Sequence, residues 1–262
     1  MSELLFLNIK KMFFFRSKPQ KMSLVRTAID HLDLSPRERN ELLFGLYQTH
    51  SIAKNVATQL RDQSTEDCRS LLLRCFDYQE EAGVRSMNPA RTEAAKQHLG
   101  YSLPSPEIGY ILDKLRAGRR TVLEIGCGAG LYAKVFGDAR WIATDDPIKH
   151  AKWVSIPPFH APIHLTSTPL ALLEGIPEDD QILLAVWPEP SSTYLLQYDF
   201  KGRYIVLIGE PGVTGDESIW DELGTRFHYE CHLVCKQKLL FNTTVYESVH
   251  IWDTAAPPQD DA

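Results

Sequence analysis

From Thr121 onward the apolar residues fall into short, unbroken runs: TVLEIG, WIATDD, KWVSI, QILLAVW and YIVLIGE. Continuous runs of this length suit strands covered on both faces, as in a parallel sheet. The stretches between them predict crossover helices, for example Thr168 to Gly175 after its Thr-Pro start. Asp216 and Glu217 are expected in the first turn of a helix leading to Trp220, where they complement its dipole. Two further apolar runs, Phe227–Cys235 and Thr244–Trp252, follow with no helical stretch between them. They predict an antiparallel pair that closes the sheet.

Before Thr121 the spacing is helical. Ser35-Pro36-Arg37-Glu38 is a capping box with proline at the first helical position. Leu42, Leu46, Ala53, Val56, Ala57 and Leu60 follow on a helical period. Ser64 and Asp67 open another helix carrying Leu71, Leu72 and Phe76. Ser105-Pro106 caps a third, with Ile108, Ile111, Leu112 and Leu115 on one face and Gly118 as its stop. The pattern therefore divides the chain into a flexible terminus (1–22), a helical region (23–104), an α/β domain (105–252) and a tail (253–262), ending in AAPPQDDA, that is expected to be disordered.

Composition narrows the class. Of 262 residues, 44% are apolar and 24% charged, the balance of a soluble globular protein. No apolar run approaches the ~18 residues that would span a bilayer. Residues 1–22 are apolar and basic, but Lys10 and Lys11 break the run and no small-residue cleavage site follows, so they do not read as a secretory signal. They are expected to fray or to pack locally, with a membrane-surface or organelle-targeting role as the alternative. Cys68, Cys75, Cys127, Cys231 and Cys235 make an odd set without framework spacing, which points to free thiols and a cytoplasmic setting. HYECHLVC invites a zinc site, yet strand alternation puts His228 and His232 on one face and Cys231 and Cys235 on the other, so no metal is expected.

Charge divides unevenly. Residues 1–120 hold 19 Lys+Arg against 14 Asp+Glu, and residues 121–262 hold nine against 20. The helical part could dock an acidic partner, or the split could simply follow two structural parts. The acidic part offers no phosphate track, which disfavours nucleic acid as a partner.

Candidate chemistry concentrates in LEIGCGAG, residues 123–130. A strand that ends in glycines and feeds a helix lets a ligand approach the backbone. A dinucleotide site of the GxGxxG type would need glycine at 131, where the chain has Leu131. The spacing here is instead ExGxGxG, built from Glu124, Gly126, Gly128 and Gly130 with Cys127 inside it. A carboxylate at Glu124 opposes a pyrophosphate and suits a ligand with a cationic end. Roughly 20 residues further on, WIATDD ends in Asp145 and Asp146. A carboxylate at a strand tip can accept two hydrogen bonds from ribose hydroxyls.

On Glu124-Ile125-Gly126-Cys127-Gly128-Ala129-Gly130 together with Asp145, the chain resembles the class I S-adenosylmethionine-dependent methyltransferases over about residues 105–252. The resemblance implies a Rossmann-like α/β fold: a seven-stranded, mostly parallel sheet with an antiparallel last strand, here preceded by an α-helical N-terminal part. It implies S-adenosyl-L-methionine as cofactor, the glycine turn against its methionine end, Glu124 ordering that region and Asp145 or Asp146 on the ribose. Strand four ends in Trp187-Pro188-Glu189-Pro190. Family members that methylate amino nitrogens often carry Asp/Asn-Pro-Pro-aromatic there, which this chain lacks. WPEP, with IGEPGVTGDES at 208–218, is similar instead to a poorly described WPP-type group that names no substrate.

Trp187 is the candidate to stack on cofactor or acceptor, and Glu189 to act as base or amine anchor. Glu210, at the tip of strand five, and His160 and His164, in a loop after strand three, are lesser candidates. The expected function is methyl transfer to an unidentified small molecule or protein, with the N-terminal helices as lid or acceptor platform. The alternatives are a non-catalytic scaffold on the same fold and, less favoured, a nicotinamide-dependent oxidoreductase.

Overall fold

The computed structural model describes residues 51–68 (52 and 65 excepted), 98–153 (101 and 103 excepted), 158–188 (160 excepted), 200–209, 214–238 (216 excepted) and 244–256. Its strands are β1 (Thr121–Ile125), β2 (Trp141–Asp145), β3 (Ile163–Leu165), β4 (Gln181–Val186), β5 (Tyr204–Gly209), β6 (His228–Lys238) and β7 (Thr244–Asp253). They make one seven-stranded sheet in the order β3-β2-β1-β4-β5-β7-β6. β1 to β5 pair in parallel. β7 is antiparallel to both β5 and β6, so it alone runs against the rest, as the closing pair predicted. The chain steps outward from β1 to β2 and β3, then returns past β1 to β4. That reversal opens a crevice at the carboxyl ends of β1 and β4, where open α/β sheets take their ligands.

Both faces of the sheet are buried, which is why the strands read as unbroken apolar runs. One face carries Val122, Ile182, Leu184, Val206 and Ile251. Packed on it are Ile108 and Leu112 of α2 (Pro106–Arg116) and Val135 and Phe136 of α3 (Leu131–Phe136). The other face carries Leu123, Ile125, Leu183 and Leu207 against Ile219 and Leu223 of α5 (Glu217–Arg226). Helix α2 begins as its sequence predicted: Pro106 follows the cap, and the Ser105 hydroxyl accepts from Ile108 N–H at 3.2 Å. It stops one residue earlier than expected, because Ala117 itself turns left-handed at φ 46° ahead of Gly118.

Helical residues 53–62, α1, join the same core. Ala53, Val56, Ala57 and Leu60 are buried at the predicted spacing and belong to one cluster with Leu99 and the sheet. Lys134 Nζ of α3 donates to the Arg61 carbonyl at 3.4 Å, and the Ser102 hydroxyl lies 2.5 Å from that of Tyr132. Ser64 caps the turn at Asp67, again as predicted. Because Leu60 is fully buried between these parts, Leu60→Ala should cost ~2–5 kcal/mol. At ~2–4 °C per kcal/mol for a chain of this size, the melting temperature should fall by roughly 4–20 °C. A melting temperature within a degree or two of wild type would mean that α1 is not part of the core.

Two expectations are corrected. KWVSI begins as helix rather than strand at Lys152 and Trp153, and Val154 to Ile156 lie outside the described residues. Asp146 Oδ1 accepts from Ile148 N–H and Lys149 N–H, both at 2.9 Å, and this cap starts α4 (Pro147–Trp153) through the beginning of that run. The third strand is Ile163–Leu165, too short to stand out in the apolar pattern, and it pairs with β2 from Ala143↔Ile163 to Asp145↔Leu165. Thr168 to Gly175 is not an α-helix either. Pro169–Leu173 is a 3-10 turn that buries Leu173 and ends before Gly175 at φ 83°. Among the described residues no helix is long and apolar enough to cross a membrane. Residues 1–22, the Ser35 capping box, Leu42, Leu46, Leu71, Leu72, Phe76 and the end of the tail lie outside the described residues.

Candidate functional site at the glycine turn

The turn after β1 is anchored on the neighbouring strand. Cys127 N–H donates to Thr144 O at 3.0 Å, and the Thr144 hydroxyl donates to Glu124 O at 2.9 Å. Gly126, Gly128 and Gly130 all have left-handed φ, but they serve different ends. A Cβ on Gly130 would meet Ile163 Cδ1 at 3.1 Å and Ala161 Cβ at 3.4 Å, so this glycine lets β3 pack against the turn. A Cβ on Gly128, at φ 57°, would meet nothing within 4 Å. Gly128 thus presents bare backbone to open space at the crevice. Burial, with Glu124 and Asp145 alongside, pushes the Cys127 thiol far up, so it is a neutral lining group rather than a nucleophile.

Glu124 is buried, and its Oε2 accepts from Trp141 Nε1–H at 2.8 Å. Burial, opposed by that bond and reinforced by Asp145, raises its carboxyl to about 8. It is therefore neutral at pH 7 and does not repel a pyrophosphate in the way its sequence position suggested. What stands against a dinucleotide is Leu131, a core residue where the glycine would have to be.

A folded-state value near 8 against an ordinary 4.5 has a fixed sign. The unfolded chain releases this proton from about pH 4.5, the folded chain only near 8, so this carboxyl costs stability as pH rises through that window. Glu124→Gln keeps an acceptor for Trp141 and cannot ionise. Its melting temperature should fall less steeply from pH 5 to 8 than that of wild type, and an unchanged slope would show that Glu124 is ionised in the folded protein.

Asp145 ends β2 with its side chain only 9% exposed. Its Oδ2 accepts from Gly128 N–H at 3.2 Å and contacts His150 Nδ1 at 2.9 Å, and its Oδ1 accepts from Asp146 N–H at 2.9 Å. Of the two adjacent acids, Asp145 meets the glycine turn, whereas Asp146 is committed to capping α4. Two exposed apolar side chains stand nearby: Leu165, at 52%, pairs with Asp145 across β2 and β3, and Ile148, at 78%, lies three residues on. His150 was not singled out from the sequence. The available signal was its place one turn into a helix capped by Asp146, which returns its ring toward the strand tip.

Trp187 follows β4 at φ 49°, with its N–H donating to Ile208 O at 2.7 Å. A bulky residue in the left-handed region stores ~1–3 kcal/mol of strain, and such residues gather at functional sites. Pro188 O, next along, accepts from Gly215 N–H at 3.0 Å. Glu189, Glu210, His160 and Asp216 lie outside the described residues. His164 is an exposed residue within β3, not in a loop after strand three. Arg61 reaches toward the turn: its guanidinium lies 4.7 Å from the Phe159 ring centre, and Phe159 N–H donates to Ala129 O at 2.9 Å.

Two constellations elsewhere do not make sites. On β6, Glu230 lies between His228 (3.7 Å) and His232 (3.4 Å), and no group of three or more His, Cys, Asp or Glu among the described residues is arranged to hold a metal. Ser248 Oγ lies 2.6 Å from His250 Nε2, a spacing met in hydrolytic sites. The Ser248 side chain is buried, burial lowers His250 to about 4, and the Tyr229 hydroxyl takes its other nitrogen at 2.6 Å, so the arrangement ties β6 to β7.

No family model matches the sequence, and no curated protein matches it. Among solved structures the chain is similar to M. capricolum TrmK in complex with its cofactor product S-adenosyl-homocysteine, at 10% identity over 62% of this chain and 73% of that one, with a TM-score of 0.38. It is also similar to the human methyltransferase 10 domain containing protein, at 11% identity over 73% of this chain and 98% of that one, with a TM-score of 0.35. Likenesses this remote assign no role to any residue, so the site stands on its own geometry.

Proposed function

We propose that this protein binds S-adenosyl-L-methionine in the crevice beside β1 and transfers its methyl group to a small molecule or protein. One observation carries the proposal: Gly128, the glycine that faces open space, shares a hydrogen bond with the carboxylate at the tip of the next strand, Asp145. The group fits this frame. Bare backbone at Gly126, Cys127 and Gly128 would lie along its amino-acid end, Asp145 would accept from its ribose, and Leu165 and Ile148 offer apolar surface beside that acid. When bound, the cofactor supplies a sulfonium methyl whose positive charge vanishes on transfer. The chain's own contribution is then positioning and exclusion of water, with Trp187, and by its sequence position Glu189, as the residues proposed to serve the acceptor. The contact from Arg61 through Phe159 to Ala129 supports the N-terminal helices as a lid over this end of the sheet.

Calorimetric titration with S-adenosylhomocysteine and with NAD tests the cofactor, and tight binding of NAD alone would overturn the proposal. Labelled methyl transfer from S-adenosylmethionine into fractionated lysate tests catalysis. The strained Trp187, where amine-methylating relatives have a polar residue, favours a second reading as a non-catalytic scaffold on the same fold. Cofactor binding without transfer in any fraction would select it.

A further inference from the structure

The Asp145 carboxylate is more fully occupied than a ribose site should be. Its two oxygens offer about four lone-pair positions. Gly128 N–H and His150 Nδ1 take two on Oδ2, and Asp146 N–H takes one on Oδ1. About one acceptor position remains, yet a ribose diol brings two hydroxyl hydrogens. One existing donor must leave before both can be accepted. Two of the three donors are backbone amides, one in the glycine turn and one at the end of β2, and neither can withdraw without undoing the turn or the strand end. The third is a side chain on α4, 23% exposed and free to leave by rotating about its own χ angles.

We infer that His150 is an internal competitor for the diol-binding face of Asp145, displaced when a ribose diol binds, and so a residue that sets the affinity of the site. The inference rests on the methyltransferase reading above, but only on its cofactor-binding part. While the imidazole holds Oδ2, the site accepts one hydroxyl; with the imidazole gone, it accepts two. The fraction of molecules with His150 already released scales the observed affinity. His150 thereby weakens every ligand that presents a ribose diol by the same factor, and leaves untouched a ligand that presents a single hydroxyl.

The test is calorimetric titration of the full chain with two probes, S-adenosylhomocysteine and its 2′-deoxy counterpart, which presents one ribose hydroxyl. His150→Ala and His150→Leu, each checked by its melting curve, should bind S-adenosylhomocysteine roughly 3- to 10-fold more tightly than wild type. Neither should gain for the 2′-deoxy probe, which needs only the position already open. His150→Gln, which restores a donor, should fall back toward wild type. A variant that binds S-adenosylhomocysteine no more tightly, or that gains equally for both probes, overturns the inference while leaving the cofactor assignment intact. If wild type and variants alike bind neither probe, the cofactor assignment itself fails and the inference with it.

Discussion

Gly128→Val should lose S-adenosylhomocysteine binding by at least a hundredfold, about 2.7 kcal/mol, while remaining folded. The added Cβ meets no protein atom within 4 Å, so the branched side chain would stand in the space assigned to the ligand. The folding cost comes from the backbone alone. A left-handed φ of 57° is strained for valine by ~1–2 kcal/mol, or roughly 2–8 °C in melting temperature. Gly130→Val is the contrast. Its Cβ would crowd Ile163 and Ala161, so stability falls further and binding is lost through the fold. Calorimetry and melting curves on the pair separate blocking from unfolding. A folded Gly128→Val protein that binds normally would move the ligand away from the turn.

Asp145→Ala should lower cofactor affinity at least tenfold, and it should also lower stability. On the sequence alone this acid only meets ligand. In the fold it also accepts from the part-buried Gly128 N–H and Asp146 N–H, and each of these hydrogen bonds contributes ~0.5–1.5 kcal/mol. The melting temperature without ligand should therefore drop by roughly 3–10 °C. Asp145→Asn keeps one oxygen acceptor, so it should recover part of the stability and little of the affinity. Asp146→Ala should show the reverse: a lost helix cap worth ~0.5–2 kcal/mol and cofactor affinity within a few-fold of wild type. Affinity that falls with Asp146 and not with Asp145 would exchange their roles.

Much of this fold was legible because its physics is local or periodic. Unbroken apolar runs marked β1, β2, β4 and β5, since strands covered on both faces have no polar side to show. The missing helix between the last two runs marked the β6–β7 pair. Serine and proline marked the start of α2 because capping involves only neighbours in sequence. β3 was missed for the converse reason. Three residues at a sheet edge, two of them exposed, carry no periodic signal, while KWVSI is apolar enough to mislead.

The sequence by itself determined that a glycine turn ends one buried strand and an acid ends the next, since both positions follow from the apolar runs and their spacing. Only the tertiary structure decided what each group does there. Burial makes Glu124 neutral despite the opposing bond from Trp141, which no local pattern encodes, because the charge state depends on the water that neighbouring elements exclude. The division of labour between Gly128 and Gly130 depends on where β3 packs. Asp145 and Asp146 are identical in sequence chemistry, and they diverge because one ends a strand facing the turn while the other begins a helix. His150 enters the site only because that helix turns its ring back onto Asp145. Each of these depends on contacts between residues distant in sequence or on the direction of a side chain, and a linear pattern carries neither.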